Sequence, residues 1–244
     1  MDISQNTFLE FDMKKFFILL TFSLSVLIIS GCSEDDTTPG PGSGTAVTSI
    51  SGKLEGWTYG TGKTIMMGQY NGPNSFDAVG TGSISADGSF TIALAAPMEF
   101  LLDTLTSIDP DCSGSFTSSA SGVMVYGTGG AMIMDGTSPF GWVQCTSRDF
   151  RNDSVRIYVP QLNDFILELV YMNKATTVNG SQTCPMDFNE PTEIMVTRQV
   201  NNLNFAAGWN KIYNKVSARS SGAATLQMSF TDPGTLKWYF FQFN

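Results

Sequence analysis

The sequence contains no histidine among its 244 residues. This absence removes the Ser-His-Asp arrangement, the usual zinc sites and the commonest general base at neutral pH. Carboxylates remain, and their closest cluster is Asp149, Asp153 and Asp164, with arginines interleaved between them. Whether two of these carboxylates lie at the distance of a glycosidase pair depends on the fold. With arginines between them, the simplest interpretation is a solvated face with local ion pairs. We therefore predict no catalytic residue, no cofactor and a protein that is not an enzyme.

The chain has four cysteines, Cys32, Cys112, Cys145 and Cys184. If Cys32 is modified, three remain, and sequence alone allows three pairings among them. Cys112 and Cys184 lie in turn-like surroundings with a proline close by, where two loops can meet without disturbing a strand. Cys145 lies in an apolar, strand-like run, in which a thiol packs as a small hydrophobic group. We predict a Cys112–Cys184 disulfide and a free Cys145.

A weak calcium candidate lies next to Cys112. Asp109, Asp111 and Ser113 match early positions of a D-x-D-x-[DNS]-G calcium loop. The bidentate acid expected at the twelfth position would fall on Ala120, which excludes a full EF-hand loop. We predict an acidic turn leading into the disulfide and no metal, with a partial site completed by a distant carboxylate as the alternative.

Aromatic side chains offer a further kind of chemistry, because the C–H faces of sugars pack on such rings. Aromatic residues make up 12% of the chain, so in a β fold most of them must lie in the core. A sugar-stacking platform would use an exposed subset. The candidates are Trp57, Tyr59, Tyr70, Tyr126, Trp142 and Tyr213.

The N-terminal segment predicts that the protein is exported. Met13-Lys14-Lys15 opens an apolar run from Phe16 to Ile29, which is typical of the n-region and h-region of a secretory signal. The run is shorter than the roughly 20 residues of a membrane-spanning helix. We predict a signal helix and a signal peptide over residues 1–31. Because residues 1–12 carry acids and no base, we predict that translation begins at Met13.

Ile29-Ser30-Gly31-Cys32 ends the apolar run and resembles the lipobox of bacterial lipoproteins. The resemblance implies that the signal is cut before Cys32, that its thiol is diacylated, and that the new amine receives a fatty acid such as palmitate. The alternatives are an ordinary secretory signal and an uncleaved N-terminal anchor.

Ser33-Glu34-Asp35-Asp36 follows and resembles the export signal of surface lipoproteins in Bacteroides-like bacteria. This resemblance implies an outer membrane lipoprotein exposed at the cell surface, with the periplasmic face as the alternative. The next residues are rich in Gly, Pro and Ser, so we predict a lipidated cysteine and flexible linker over residues 32–46. The membrane is thus a partner, while a formal net charge of −9 argues against nucleic acid.

The rest of the chain predicts strands. Short segments rich in β-branched and aromatic residues are separated by Gly, Pro, Asn and Asp, at spacings typical of a β-sandwich. We predict an all-β fold, with one sandwich lobe over residues 47–105 and a second β-rich lobe over residues 109–244. Within the first lobe, Pro97 to Leu105 predicts one short helix.

Two motifs of the first lobe resemble those of the transthyretin-like or carboxypeptidase-regulatory sandwich family. They are Ile50-Ser51-Gly52-Lys53-Leu54-Glu55-Gly56-Trp57 and Ser83-Ile84-Ser85-Ala86-Asp87-Gly88-Ser89-Phe90. The mature chain also resembles uncharacterised bacterial secreted β proteins that open S-G-x-V-x-G-W and close A-G-W-N, here Ala207-Gly208-Trp209-Asn210. The two cysteines of those proteins fall at places that match Cys112 and Cys184, which supports the predicted pairing.

Three segments resemble the D-[ST]-hydrophobic/Thr sequon of Bacteroides-type O-glycosylation. The resemblance implies candidate acceptors at Thr37, Thr104 and Ser154. Thr37 is the most accessible of the three, because it lies in the predicted linker.

These observations lead to one predicted function and one alternative. We predict a lipid-anchored cell-envelope protein that displays a β-sandwich head with a binding or structural role. The alternative is a surface glycan-binding or glycan-processing accessory of a nutrient uptake system, with carbohydrate or an envelope protein as partner. Binding predicts an exposed aromatic patch, catalysis predicts two carboxylates in one deep cleft, and a structural role predicts an exposed apolar patch.

Overall fold

The computed structural model describes residues 42–70, 76–105, 111–151, 159–186 and 194–243. These ranges are built mainly of β-strands, so the all-β prediction is confirmed. The strands, numbered along the chain, are β1 (Ala46–Val47), β2 (Ser49–Glu55), β3 (Lys63–Tyr70), β4 (Phe76–Ser83), β5 (Ser89–Leu94), β6 (Asp103–Thr104), β7 (Ser113–Ser118), β8 (Met124–Thr128), β9 (Gly130–Asp135), β10 (Ser138–Thr146), β11 (Phe165–Met172), β12 (Thr176–Met186), β13 (Ile194–Phe205), β14 (Gly208–Ser220), β15 (Ala223–Ser229) and β16 (Lys237–Gln242).

Seven strands close on themselves into a ring. The order around the ring is β16, β2, β5, β4, β3, β9 and β10, and β10 pairs back with β16. The β16–β2 pair is parallel, whereas the other pairs are antiparallel. Closure gives every strand of the ring two neighbours, so the aromatic C-terminal strand β16 has no free edge.

The other strands form an open outer sheet that joins the ring at β10. The junction is a single pair, Thr146 with Ile166 of β11, and the order continues β14, β15, β13, β12 and β7. β15 and β13 are parallel, and the remaining neighbours are antiparallel. β8 extends β11, β6 pairs with β8, and β1 pairs with the start of β14.

Buried apolar residues form three clusters. The first draws on all seven strands of the ring and also includes Leu167 and Leu169 of β11. The alternate residues of β11 face the other way, since Ile166 belongs to the second cluster and Val170 to the third. Because β11 is buried on both faces, its sequence is an almost continuous apolar run.

The architecture differs in detail from the two predicted lobes. The ring takes β2 to β5 from the first predicted lobe and β9, β10 and β16 from the second. The physical reason is the pairing of β2 with the last strand of the chain, Trp238 with Leu54 and Tyr239 with Glu55. A contact this distant along the chain leaves no local sequence pattern.

The predicted helix over Pro97 to Leu105 is a single 3-10 turn, Glu99–Leu101, followed by β6. Met98 and Leu102 on either side have extended backbones, with ψ of 146° and 131°, which ends the turn after three residues. The prediction of a helix was therefore wrong.

The predicted linker reaches the sheet earlier than expected. Ser43 bridges to Asn204, and Ala46 pairs with Asn210, so the last residues of the predicted linker belong to the fold. The predicted signal helix, Cys32 and Thr37 lie outside the described residues. In the ranges that the structure describes, no helix is both long enough and apolar enough to span a membrane.

Candidate functional site

A glycine-rich loop after β2 covers one end of the ring. Gly56, Gly60 and Gly62 have φ angles of +71°, +69° and +89°, a region that residues with a side chain rarely adopt. The indole N–H of Trp57 donates to the carbonyl oxygen of Gly60 at 2.8 Å. The loop thereby buries Trp57 and leaves Tyr59 41% exposed.

The turn between β4 and β5 packs against this loop at Trp57. Gly88 has a φ of +85°, and a Cβ at this position would lie 2.7 Å from the Cβ of Trp57. The backbone N–H and hydroxyl of Ser89, and then Lys53, hold the pKa of the Asp87 carboxylate down at about 2. The Ala86-Asp87-Gly88 motif is therefore structural, because it shapes the floor under Trp57.

Four aromatic side chains pack together at this end of the strand ring, and the backbone of Phe243 lies beside them. We call the five residues the aromatic cap: Trp57, Tyr59, Phe140, Phe240 and Phe243. The Tyr59 ring lies 5.1 Å from Trp57, 5.0 Å from Phe140 and 5.5 Å from Phe240, edge to face in each case. Phe140 and Phe240 are stacked at 5.5 Å. Trp57 and Phe240 are buried, while Tyr59 and Phe243 are exposed. The cap is thus a set of accessible rings held in place by buried ones.

Polar groups surround the exposed part of the cap. The Tyr59 hydroxyl donates to Oε1 of Gln242 at 2.8 Å. The ammonium of Lys63 lies 4.7 Å from the centroid of the Phe140 ring and 2.9 Å from the carboxylate of Asp135. An amide, an ammonium and a carboxylate therefore border the exposed aromatic side chains. This arrangement can bind a ligand, but these polar groups include no pair of acids for catalysis.

The chain matches no known protein family, no curated protein and no solved structure.

The aromatic candidates predicted from the sequence fall into different environments. Burial raises the pKa of both buried tyrosine candidates, that of Tyr213 to about 12 with a further contribution from Asp232. Tyr59 is exposed, Trp142 is half-buried, Trp57, Tyr126 and Tyr213 are buried, and the side chain of Tyr70 lies outside the described residues. Tyr59 is therefore the described candidate with the access that a ligand needs.

Other cap residues were missed at the sequence level. Phe140 and Phe240 come from β10 and β16, and Phe243 follows β16, where its N–H donates to the carbonyl oxygen of Phe140 at 3.1 Å. The available signal was the aromatic density of the last strand. The register between β10 and β16 then decides which of those rings reach Tyr59.

The predicted disulfide between Cys112 and Cys184 is present, with the two Cα atoms 4.3 Å apart. It lies at the start of β7, where Ser113 pairs with Thr183 of β12, so it holds an edge strand of the outer sheet. Cys145 is buried and outside the disulfide. Burial raises the pKa of its thiol to about 12, which removes it as a nucleophile at neutral pH.

The carboxylates of the predicted cluster serve ion pairs. Asp149 lies 2.6 Å from Arg151, whose hydrogen bonds lower the pKa of Asp149. Asp164 is buried and lies 3.1 Å from Arg148. Asp153 lies outside the described residues. The two described acids therefore stabilise the loops around β10 and β11, and Asp164 is buried instead of lying on the solvated face that we expected.

The weak calcium candidate gains no support. Asp109 lies outside the described residues, Asp111 is exposed, and Ser113 begins β7. Across the described ranges, no three His, Cys, Asp or Glu side chains come together as metal ligands.

A cavity of about 310 Å³ lies beside β6 and β7. None of its lining residues is a carboxylate, so it lacks the paired acids of a glycoside hydrolase. One of them is Thr104, an exposed glycosylation candidate, whereas Thr37 and Ser154 lie outside the described residues. The lining residues are Thr104, Leu105, Ser118, Ala120, Ser121, Gly122 and Val123.

An ion pair that the sequence did not predict lies inside the outer sheet. The guanidinium of Arg198 is 3.0 Å from the carboxylate of Glu168, and both side chains are less than one-fifth exposed, 15% and 19%. Along β13, Arg198 separates Val196 of the second apolar cluster from Val200 of the third. We interpret the pair as structural, because each charge neutralises the other in a mainly apolar interior.

Proposed function

We propose that this chain is a lipid-anchored cell-envelope protein whose β-sheet head binds a ligand through the aromatic cap. The observation that carries the proposal is Tyr59, which is exposed and yet packed against Phe140 and the buried Trp57. A ring that is already fixed in place loses little conformational entropy when a ligand covers it. An enzymatic role has no comparable support, and we assign no catalytic residue.

The anchor is proposed from the sequence at Cys32. Each buried CH₂ contributes about 0.8 kcal/mol of membrane affinity, so several acyl chains give stable attachment. Cys32→Ala should release the protein into the soluble fraction or leave its signal uncut. A variant that is still cut after Gly31 and stays in the membrane would show that the anchor is not the lipid.

The proposed location is the outer membrane, with the head on the cell surface. The support is the acidic run Ser33-Glu34-Asp35-Asp36. Protease added to whole cells should remove the head of the wild-type protein and should spare a variant with alanine at Glu34, Asp35 and Asp36. A wild-type head that resists protease as well as the variant does would place it inside the envelope.

We also propose that part of the strand ring is a transthyretin-like sandwich. β2 and the hairpin between β4 and β5 carry the two motifs of the resemblance. β2, β5, β4 and β3 follow one another as antiparallel neighbours. We propose that these four strands are the transthyretin-like part of the head, here completed by strands from the second half of the chain.

A glycan is the ligand class that the polar border of the cap favours. The apolar face of a sugar packs on a ring such as Tyr59, while its hydroxyls pair with an amide or with charged groups. Gln242, Lys63 and Asp135 supply such groups within the same patch. This supports the role of a surface glycan-capturing accessory in a nutrient uptake system.

The binding experiment compares migration of the mature protein through native gels that contain neutral polysaccharides. Tyr59→Ala should lower the affinity for the polysaccharide, measured from the retardation, by about tenfold, because the accessible aromatic ring is lost. A tenfold change in affinity equals about 1.4 kcal/mol. Leu162→Ala is the matched control, since Leu162 is 55% exposed in a loop outside the cap. Retardation of the wild type that Tyr59→Ala leaves unchanged would refute the cap as the binding surface.

A further inference from the structure

We propose that the end of the ring opposite the aromatic cap rests on the bilayer that holds the lipid, through Met98 and Phe100. The inference depends on the proposed anchor at Cys32 and adds an orientation to it. We call this end the linker end and define it by residues 42–49 and 94–102. A bilayer surface is the occupant to which we commit.

The course of β2 places the two ends apart. β2 starts at Ser49, beside Leu94 at the end of β5, whose N–H donates to the carbonyl oxygen of Thr48 at 2.9 Å. It finishes at Glu55, directly before the loop that forms the cap. At about 3.3 Å per residue, this strand separates the linker end from the cap by roughly 20 Å.

The linker end exposes large apolar side chains. Phe100 is 68% exposed, more than any other large apolar side chain in the described ranges, and Met98 is 51% exposed. Leu101 and Leu102 on the same segment pack against the first apolar cluster, which fixes the turn and presents its neighbours outward. Exposed apolar groups on a fixed turn are typical of a contact surface.

This end also lacks charge. The residues that define it, 42–49 and 94–102, contain a single charged residue, Glu99, in a chain whose formal net charge is −9. A surface that meets only water normally carries more charge, whereas a neutral apolar surface suits the boundary between lipid headgroups and acyl chains.

The length of chain between the lipid and the fold keeps the linker end near the membrane. The fold begins at Gly42, whose carbonyl oxygen accepts the N–H of Asn204 at 2.8 Å. Cys32 lies ten residues earlier, so the covalent chain spans at most about 35 Å. Because β1 then leads straight into the start of β2, the tether joins the head at the linker end and not at the cap.

The test uses the mature lipidated protein in phosphatidylcholine vesicles whose acyl chains carry bromine, a quencher of tryptophan fluorescence. Phe100→Trp introduces a reporter at the linker end. Leu162→Trp is the matched control, because Leu162 is also exposed and lies where Asn163 meets Val216, about 26 Å along β14 from its start. The signal of the wild-type tryptophans is subtracted, and flotation of the vesicles reports attachment.

We expect the Phe100→Trp reporter to lose about twice the fluorescence of the Leu162→Trp reporter or more, since an aromatic ring at the membrane interface lies close to the acyl chains. Protein that floats with the vesicles but shows equal or no quenching at both positions would overturn the orientation while leaving the anchor intact. Protein that does not float would overturn both. A Phe100→Trp reporter shielded from an aqueous quencher but not quenched by brominated lipid would assign the patch to contact between two copies.

Discussion

Replacing Cys112 and Cys184 with alanine removes the covalent link between β7 and β12. The two cysteines are 72 residues apart in sequence, and closing a loop of that length stabilises a fold by roughly 4 kcal/mol in the chain-entropy treatment. Apart from the disulfide, β7 is paired with β12 from Ser113 to Ser118, and we expect this pairing to persist in the variant. The expected effect is therefore a loss of stability without a change of fold.

Urea unfolding followed by tryptophan fluorescence measures the loss. With a urea dependence of about 2 kcal/mol per molar, the midpoint should fall by roughly 2 M. Adding a reductant to the wild-type protein should lower its midpoint by a similar amount and should leave the double alanine variant unchanged.

Cys145→Ala serves as the control. Its own stability falls because a buried side chain is shortened, but the difference between its oxidised and reduced forms should match that of the wild type. A wild-type midpoint that does not respond to reductant, or a difference that disappears in Cys145→Ala, would refute the assigned pairing.

Three further predictions concern packing, charge and pH. Gly88→Ala should lower the free energy of unfolding by about 1–3 kcal/mol and Gly60→Ala by about 1 kcal/mol, measured by thermal unfolding. Both glycines have positive φ, but of the two only Gly88 has other atoms where a Cβ would lie. Equal losses of stability in the two variants would contradict this explanation. Arg198→Met should lower the free energy of unfolding by about 3 kcal/mol, because it leaves Glu168 unpaired in an apolar interior. Adding Glu168→Met should restore most of that stability. A double variant as unstable as the single one would argue against the ion pair. Burial raises the pKa of Tyr213 to about 12, so Tyr213 ionises at a lower pH in the unfolded chain than in the folded one. The stability that is present below pH 10 should therefore be lost between pH 10 and 12. Tyr213→Phe should lessen that loss, and an unaltered alkaline transition in this variant would contradict the prediction.

The parts of the structure that local sequence determines were predictable. Runs of β-branched and aromatic residues between Gly, Asn and Asp indicate strands, and they account for the all-β fold. The predicted Cys112–Cys184 disulfide is present, although Cys184 lies within β12 and not in a turn. The strands depend on a few neighbouring residues, whereas the disulfide joins positions 72 residues apart and its prediction relied also on the resemblance to the secreted β proteins.

Features that depend on distant pairing were not predictable. The ring closes through β2 and β16, which lie at the two ends of the described chain, so the division into two lobes missed it. Aromatic residues alone do not show which rings are buried, because Trp57 and Tyr59 are two residues apart and yet one is buried and the other exposed. Their roles follow from where the glycine loop meets Phe140 and Phe240.

Surface display and binding through the aromatic cap are tested together by the binding of fluorescent neutral polysaccharides to intact cells that carry the protein. The wild type is compared with Tyr59→Ala. An antibody against the head gives the amount displayed, so that labelling is compared at equal surface density. We expect antibody labelling of both strains and about tenfold weaker polysaccharide labelling of the variant. Equal polysaccharide labelling of the two strains, or no antibody labelling of intact wild-type cells, would contradict a surface-anchored head that binds through its aromatic cap.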